Sequence, residues 1–210
     1  MSKWDYGNYA EKYNMDGIIE IGTGQVKVHN LFDPLPEFMK EADLLFCDPP
    51  CSKGNINSFY TKAGRLDYQE SYIPFFNRFW ECVEDINPKK IVLELFASNK
   101  EMMMQEIKKR YNNYKLYECT YYHKAQNKDY IVIASNDNLI DYPFNGMDEQ
   151  DVIEWICKNE VYNCIADPCM GRGLVGFYAN KHGKKFVGTE LNKNRLAVLL
   201  ERINKGKLIK

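Results

Sequence analysis

The segment Asp48-Pro49-Pro50-Cys51 places a carboxylate beside two prolines, directly after the apolar run Ala42 to Cys47. Successive prolines restrict the backbone and have no amide hydrogen, so nearby carbonyl oxygens are left to accept hydrogen bonds. An amino group on adenine or cytosine is a poor nucleophile because its lone pair is delocalised into the ring. If the Asp48 carboxylate and the Pro49 carbonyl accept its hydrogens, the nitrogen can attack a sulfonium methyl, largely through positioning. The same triplet is also common as a plain turn or helix start.

A second segment with chemical potential runs from Asp167 to Gly173 (DPCMGRG) and lies between an apolar run and a predicted helix. Glycines at such a turn let the backbone approach a ligand in an open α/β sheet. Glu190 ends the next predicted strand, where a carboxylate can accept both ribose hydroxyls of an adenosine group. Gly171 to Gly176 also satisfies G-x-G-x-x-G, so a nicotinamide or flavin dinucleotide is an alternative. Against it, only 20 residues follow Glu190, too few for the second mononucleotide-binding half.

The elements around these motifs alternate between strands and helices, which favours a parallel sheet covered on both faces. We expect one α/β domain over residues 1–210 with a Rossmann-like, mostly parallel, seven-stranded sheet that includes an antiparallel hairpin. The predicted strands are Gln25 to Asn30, Ala42 to Cys47, Lys90 to Phe96, Tyr114 to Tyr122, Asp129 to Ala134, Tyr162 to Ala166 and Lys185 to Thr189. Predicted helices cover Tyr72 to Glu84, Glu101 to Tyr111, Asp148 to Asn159, the residues up to Lys181, and those from Asn194, with a helical turn at Leu35 to Glu41.

Two intervening stretches are predicted to be irregular. The polar stretch Ser52 to Arg65 is expected to be a loop, and Lys124 to Lys128 is expected to be the hairpin turn. Because the carboxyl ends of parallel strands share one edge, we expect Asp48 to face the glycine-rich turn there.

The pairing of FCDPPC with ADPCMGRGLVG and then FVGTELNKNR resembles the β-class DNA amino-methyltransferases, the N6-adenine and N4-cytosine family. In that circularly permuted class, a catalytic D-P-P-Y precedes a D-P-F-x-G-S-G cofactor turn and a G-x-E-x-N ribose-binding strand. Tyr122-His123-Lys124 and Lys128 to Val132 are similar to the family's W-x-K and h-E-y-i-l hairpin. The resemblance extends from about Val26 to Ile203.

The resemblance implies S-adenosylmethionine (SAM) as cofactor and a role for each matched residue. Asp48, Pro49, Pro50 and Cys51 would form the catalytic motif that holds the target amine. The cofactor contacts it implies are Asn30, Asp48, Asp167, Pro168, Cys169, Gly171, Gly173, Glu190, Leu191 and Asn192. Candidate substrate contacts are Tyr60, Lys62, Arg65, Tyr122 and Lys124, and the expected set includes no metal ligands.

Three departures from the family pattern bear on the target. Cys51 replaces the usual aromatic residue that stacks on a flipped base, so Tyr60 or Tyr122 would have to supply the stack. Asp141 to Asn145 keeps only the proline of H-P-x-x-K-P. Ser135 to Asp141 leaves about seven residues where the family inserts its target-recognition region. Target recognition would then come from short loops, a partner subunit or a second copy of the chain.

Composition limits where a nucleic acid could bind. With 28 basic and 29 acidic residues the net charge is -1, so a phosphate site must be a local patch. The candidate basic patches are Lys108 to Arg110, Lys181 to Lys185, and the tail with Lys193, Arg195, Arg202, Lys205, Lys207 and Lys210. Seven scattered cysteines without C-x-x-C pairs are typical of reduced core thiols. No apolar run approaches the roughly 20 residues of a membrane helix, so we expect a soluble, cytoplasmic protein without membrane contact.

The leading hypothesis is therefore a SAM-dependent methyltransferase of a nucleobase amino group, with adenine N6 in DNA favoured over RNA and over cytosine N4. Base flipping would bring the amine to Asp48. A catalytically weak or silent subunit that binds SAM or DNA beside a partner is the alternative that Cys51 raises. A dinucleotide-dependent oxidoreductase is the third hypothesis.

Overall fold

The computed structural model describes residues 6–65 and 71–209, so Lys210 of the basic tail lies outside the described residues. The strands are β1 (Ile18–Ile21), β2 (Gly24–Val28), β3 (Leu44–Cys47), β4 (Lys90–Leu95), β5 (Asn113–Tyr121), β6 (Lys124–Ser135), β7 (Cys164–Asp167) and β8 (Lys185–Glu190). The helices are α1 (Lys53–Lys62), α2 (Tyr72–Ile86), α3 (Lys100–Arg110), α4 (Glu149–Asn159), α5 (Leu174–Lys181) and α6 (Lys193–Lys205), with short 3-10 helices at Tyr9–Lys12 and Glu37–Glu41.

All of these strands join one sheet in the order β1-β2-β8-β7-β3-β4-β6-β5. The five central strands from β2 to β4 run parallel, and β1, β6 and β5 are antiparallel to their neighbours. This confirms the predicted α/β fold with a mostly parallel sheet and an antiparallel hairpin. The sheet has eight strands instead of seven, because Ile18–Ile21 folds back on β2 through Gly22 and Thr23. That strand is too short and too exposed to have given a clear period-2 pattern.

Helices cover both faces of the sheet, as continuous apolar strands require. One face packs against α1, α2 and α3, and its buried residues include Ile56, Phe79, Trp80, Met103 and Ile107. The other face packs against α4, α5 and α6, and its buried residues include Val152, Ile156, Val175, Leu196 and Leu199. None of the described helices has the length and apolarity to cross a membrane.

Helix α1 corrects the prediction that Ser52 to Arg65 is a loop. Ser52 is the N-cap, its side chain accepting a hydrogen bond from the Asn55 amide at 3.3 Å, and Ile56 and Tyr60 anchor the helix in the core. The helix was missed because Gly54 and three asparagine and serine positions have weak helix propensity. Two buried side chains one turn apart outweigh that propensity.

The hairpin tip also differs from the prediction. The turn lies at Tyr122 and His123, both with positive φ (57° and 53°), whereas Lys124–Lys128 belongs to β6. Two-residue turns of this kind favour Asn-Gly. Tyr122-His123 does not match that preference, so the sequence gave no signal for a turn at this point. The turn is held from outside: the Tyr122 amide donates to Glu149 at 3.2 Å and the His123 amide donates to Asp148. Both acids stand at the start of α4, so a tertiary contact determines where the hairpin turns.

Candidate active site

The two motifs meet at one edge of the sheet. Strands β3 and β7 are parallel neighbours, with Leu45 opposite Ala166, so Asp48 and Asp167 emerge side by side at their carboxyl ends. Asp48 contributes, after the larger effect of burial, to a pKa of Asp167 well above the usual value of a carboxyl. The prediction that Asp48 and the glycine-rich turn share the carboxyl edge of the sheet is confirmed.

The glycine-rich turn is closed by a hydrogen bond within it and by one from β8. Asp167 accepts a hydrogen bond from the Cys169 amide at 3.1 Å, and the Pro168 carbonyl accepts one from the Thr189 hydroxyl at 2.8 Å. Gly171 and Gly173 have φ of +56° and +71°, and a Cβ on Gly173 would come within 2.6 Å of the Leu199 Cβ. Only glycine adopts this backbone so close to a neighbouring helix without strain. The glycine at this position therefore allows α6 to pack closely against the turn.

Glu190 is the last residue of β8, and its side chain links that strand to the glycine-rich turn. One carboxylate oxygen accepts from the Gly171 amide at 2.7 Å and the other from the Asn192 amide at 2.9 Å. Each carboxylate oxygen can accept more than one hydrogen bond, so the group is oriented and retains acceptor capacity. Burial raises the pKa of Glu190, while Arg195 and the backbone amides lower it.

Asn192 is placed differently from the other cofactor candidates. Its side chain is 2% exposed, caps α6 by accepting from the Asn194 amide, and donates to the Lys62 carbonyl at 2.9 Å. Any contact of Asn192 with a cofactor would therefore go through its backbone. This residue mainly joins the end of α1 to the start of α6.

A cleft of about 330 Å³ opens beside Glu190. It is lined by Lys27, Val28, His29, Asn30, Asp33, Pro34, Arg65 and Leu191. The side-chain oxygen of Asn30 accepts from the Tyr60 hydroxyl at 2.6 Å, and Tyr60 is only 6% exposed. Of the aromatic residues considered for stacking, Tyr60 thus lies in the core beside this cleft. Its hydroxyl orients Asn30.

Arg195 lies beside the two motifs, although in the sequence it is only one of several basic residues near the end of the chain. Its guanidinium lies over the Phe59 ring, 5.0 Å from the ring centroid, and a Cβ on Gly171 would come within 2.7 Å of Nη2. Its charge lowers the pKa values of Asp48, Asp167 and Glu190 against the effect of burial. Its position in the first turn of α6, just after the Glu190 strand, was the available signal.

Asp48 is exposed as a residue where the chain leaves β3, while protein atoms closely surround its carboxyl group. Loss of water to the surrounding protein, followed by repulsion from Asp129, raises the pKa of Asp48 to about 7, and Arg195 opposes the shift. Pro49 is buried. The Cys51 thiol donates a hydrogen bond to the Asn55 side-chain oxygen at 2.6 Å. Helix α1 therefore orients Cys51, the residue that replaces the family's usual aromatic residue.

Aromatic rings near Asp48 come from the ends of β4 and β5. Phe96 and Tyr121 pack edge to face with centroids 5.6 Å apart, and Tyr121 meets Tyr122 at 3.9 Å. Asp48 is among the groups that raise the pKa of Tyr121, after burial and the hydroxyl of Tyr122. Tyr122 is 64% exposed at the hairpin tip. Phe96 and Tyr121 were not among the sequence candidates, because neither belongs to a recognisable motif.

The basic residues divide between the two edges of the sheet. Lys53 and Lys100 begin the helices that follow β3 and β4, so they lie at the edge of Asp48, as do Arg195 and exposed Lys124 at the hairpin tip. The predicted patches Lys108 to Arg110 and Lys181 to Lys185 end helices or begin β8, which places them at the opposite edge. Lys109 and Arg110 are also paired with Glu106. These two patches therefore do not border the cleft.

Glu149 gives the protein a testable pH-dependent stability. Burial raises its pKa from 4.5 to about 8. A carboxyl with a raised pKa in the folded state stabilises the fold below its unfolded pKa, and this contribution is lost as pH rises from about 4.5 to about 8. Glu149→Gln is expected to raise the melting temperature at pH 8 by roughly 2 to 8 °C and to change it little at pH 5.

Thermal melts at both pH values would check this, with the exposed Glu101→Gln as control. The expectation is wrong if the variant and the wild type differ equally at pH 5 and pH 8.

Among the described residues, no group of three or more His, Cys, Asp or Glu side chains is arranged to hold a metal ion. Five of the seven cysteines are buried, in keeping with core thiols, and Cys51 and Cys169 are partly exposed.

No protein-family model matches the sequence, and no curated protein matches it in sequence. Solved structures do match in three dimensions. M1.HpyAVI in its SAM complex has a TM-score of 0.57 at 12% identity, over 85% of this chain and 99% of that chain. TTHA0409 from Thermus thermophilus, complexed with S-adenosyl-L-methionine, has a TM-score of 0.57 at 12% identity, over 79% of this chain and 86% of that chain.

PvuII DNA methyltransferase, which is cytosine-N4-specific, has a TM-score of 0.53 at 10% identity, over 90% of this chain and 95% of that chain. The match extends over most of both chains in each case. The chain therefore has the α/β fold of these structures, the methyltransferase fold.

Proposed function

We propose that this protein is a SAM-dependent DNA methyltransferase that modifies an exocyclic amino group, with adenine N6 as the favoured target. The observation that carries the proposal is the position of Asp48-Pro49-Pro50 and the Gly171–Gly173 turn at the ends of adjacent parallel strands. A methyl acceptor at Asp48 and a donor at the turn would then meet at one edge of the sheet. One methyltransferase domain over residues 1–210, with the catalytic motif before the cofactor motif, is part of this proposal.

The residues around the turn fit SAM, which would supply an electrophilic methyl group. Glu190 is held by two backbone amides with acceptor capacity left for ribose hydroxyls. Asn30 and Leu191 line the adjoining cleft, where an adenine ring would lie. Gly171 and Gly173 let Arg195 and Leu199 of α6 pack closely against the turn, which fixes the turn where the methionine end would lie. Two of the fold's neighbours, M1.HpyAVI and TTHA0409, have been crystallised with this cofactor.

The chain's own groups would activate the amine. The Asp48 carboxylate and the Pro49 carbonyl accept the two hydrogens, which directs the nitrogen lone pair towards the methyl carbon. The proline pair limits the movement of these acceptors. Asp48 must be ionised to accept, so transfer rises with pH through about 7.

The DNA target is supported by the basic edge and by the fold's neighbours. Lys53, Lys100 and Lys124 lie at the edge of Asp48, and candidate contacts Lys62 and Arg65 lie at the end of α1. PvuII DNA methyltransferase acts on cytosine N4. Asp48, in place of the serine common in cytosine-N4 relatives, favours adenine. With β6 ending at Ser135, the short segment to Asp141 leaves target recognition to α1, to the hairpin tip, or to a second protein or copy of the chain.

Isotope-labelled SAM tests the proposal directly. The protein would be incubated with mixed genomic DNA and, separately, with total RNA, and the digested nucleosides analysed by mass spectrometry. We expect label in N6-methyldeoxyadenosine. Label in N4-methyldeoxycytidine would correct the base, and label confined to RNA would correct the polymer. The binding of NAD in place of SAM would overturn the proposal in favour of an oxidoreductase.

Cys51 favours a second candidate, a silent SAM- or DNA-binding subunit. Its thiol has no π face to stack on a base and already donates a hydrogen bond to the Asn55 side chain. Binding of SAM without label in any nucleoside, followed by transfer after addition of a partner, would support this candidate.

A further inference from the structure

Glu94 and Asp129 are two buried carboxyls that the proposed mechanism does not use. Glu94 lies near the end of β4, opposite Ile131 of β6, and Asp129 is two residues from Ile131. Since side chains alternate along a strand, Glu94 and Asp129 lie on the same face of the sheet as diagonal neighbours. Their exposed fractions are 2% and 0%.

The pair lies directly beside the proposed catalytic carboxylate. Strands β3 and β4 are parallel, and Cys47 is opposite Leu93. One residue further along each strand come Asp48 and Glu94. Asp48, Glu94 and Asp129 thus form a row across three adjacent strands at the carboxyl edge.

Few hydrogen-bond donors surround the Glu94 and Asp129 carboxyls. The two side chains interact with each other, and within the described part of the chain Glu94 Oε1 and both carboxylate oxygens of Asp129 have no hydrogen-bond partner on any other side chain. Two buried carboxylates side by side cannot both stay ionised without compensating charge, so the pair retains at least one proton. Negative charge on Asp129 raises the pKa of Asp48. In agreement, burial, followed by repulsion from Asp48 and interaction with Asp129, raises the pKa of Glu94, and burial raises that of Asp129.

Methyl transfer to an amine releases a proton. The nitrogen lone pair forms the N–C bond as the C–S bond breaks, with its electrons going to sulfur. The nitrogen then carries a positive charge and must lose one hydrogen as a proton. With cofactor and base filling the cleft, Asp48 is the nearest acceptor, and the carboxyl row continues from it into the buried part of the sheet.

We propose that Glu94 and Asp129 act together as positioning residues that keep Asp48 basic and share the proton it takes from the methylated amine. The pair's negative charge favours protonation of Asp48 during transfer, and the proton returns through Asp48 to water when the product leaves. This inference rests on the proposed function. The other titratable groups acting with Asp48 are Cys47, Tyr121, Glu149, Asp167 and Arg195.

Single-turnover methyl transfer measured from pH 5 to 9, a range of roughly two units on each side of the expected midpoint, tests the proposal. Glu94→Gln and Asp129→Asn keep the side-chain shape and remove the charge. In each variant we expect the midpoint of the acid limb to fall by about one pH unit and the plateau rate to fall roughly tenfold. The dissociation constant for SAM should not change.

Glu160→Gln is the matched control, because Glu160 is also a buried acid but lies far from Asp48. It is paired at 2.6 Å with Lys90, which lies at the opposite end of β4 from Glu94. The substitution should leave the midpoint where it is in the wild type. A reduced rate with an unmoved midpoint in both Glu94→Gln and Asp129→Asn would overturn the proposal, since a purely structural role lowers the rate alone.

A second measurement is independent of activity. The infrared C=O band of protonated carboxyls would be followed with pH, and the Asp48 contribution assigned by its loss in Asp48→Asn. A lower Asp48 midpoint in Glu94→Gln is expected, and an unchanged midpoint would sink the inference. A protein that methylates nothing, yet shows the shift, would refute the proposed function alone.

Discussion

Replacing Asp48 with Ala is expected to lower single-turnover methyl transfer by at least about 10³-fold, because the substitution removes the proposed acceptor for the hydrogens of the target amine. Binding of SAM should remain within about twofold, since the proposed cofactor residues Glu190 and Asn30 lie on other strands and loops. Isothermal titration with SAM and rapid-quench transfer assays would measure the two effects separately.

Asp48→Asn sharpens this experiment. The amide keeps an acceptor oxygen but adds two donors and no longer takes a proton. We expect an intermediate loss of rate and no acid limb near pH 7, where the wild type has one. Full activity in Asp48→Ala would remove Asp48 from the mechanism and with it the chemical basis of the proposed function.

Replacing Glu190 with Ala is expected to weaken SAM binding by more than about 100-fold. The substitution removes a charged acceptor for ribose hydroxyls and leaves the Gly171 amide without the bond it makes at 2.7 Å. Hydrogen bonds to charged groups are worth roughly 1.5 to 3 kcal/mol each, so the loss of two suffices. Titration calorimetry would measure the affinity.

Glu190→Gln is the graded control, because it keeps one acceptor and nearly the same shape. Its affinity should lie between those of the wild type and the alanine variant. The Asp48 and Glu190 substitutions also test each other. An equal loss of SAM affinity in Asp48→Ala and Glu190→Ala would mean that the two motifs do not have separate roles.

The sequence by itself determined the fold class and both halves of the candidate site. The buried strands ending at Cys47 and Asp167 were predicted because short, mostly apolar runs followed by polar turn residues are typical of parallel strands. Their shared edge followed from parallel packing. Local motifs placed Asp48, Gly171 and Glu190, because these residues lie where the chain leaves a strand.

Only the tertiary structure decided which other groups surround Asp48. Helix α1 forms against weak local propensity because Ile56 and Tyr60 are buried, and the hairpin turns at Tyr122 because the acids at the start of α4 bind its amides. Arg195, Phe96 and Tyr121 come to the surroundings of Asp48 from distant parts of the chain. The carboxyl row from Asp48 through Glu94 to Asp129 depends on the pairing of three strands. Strand order and register arise from packing of the whole core, so no local pattern could have shown it.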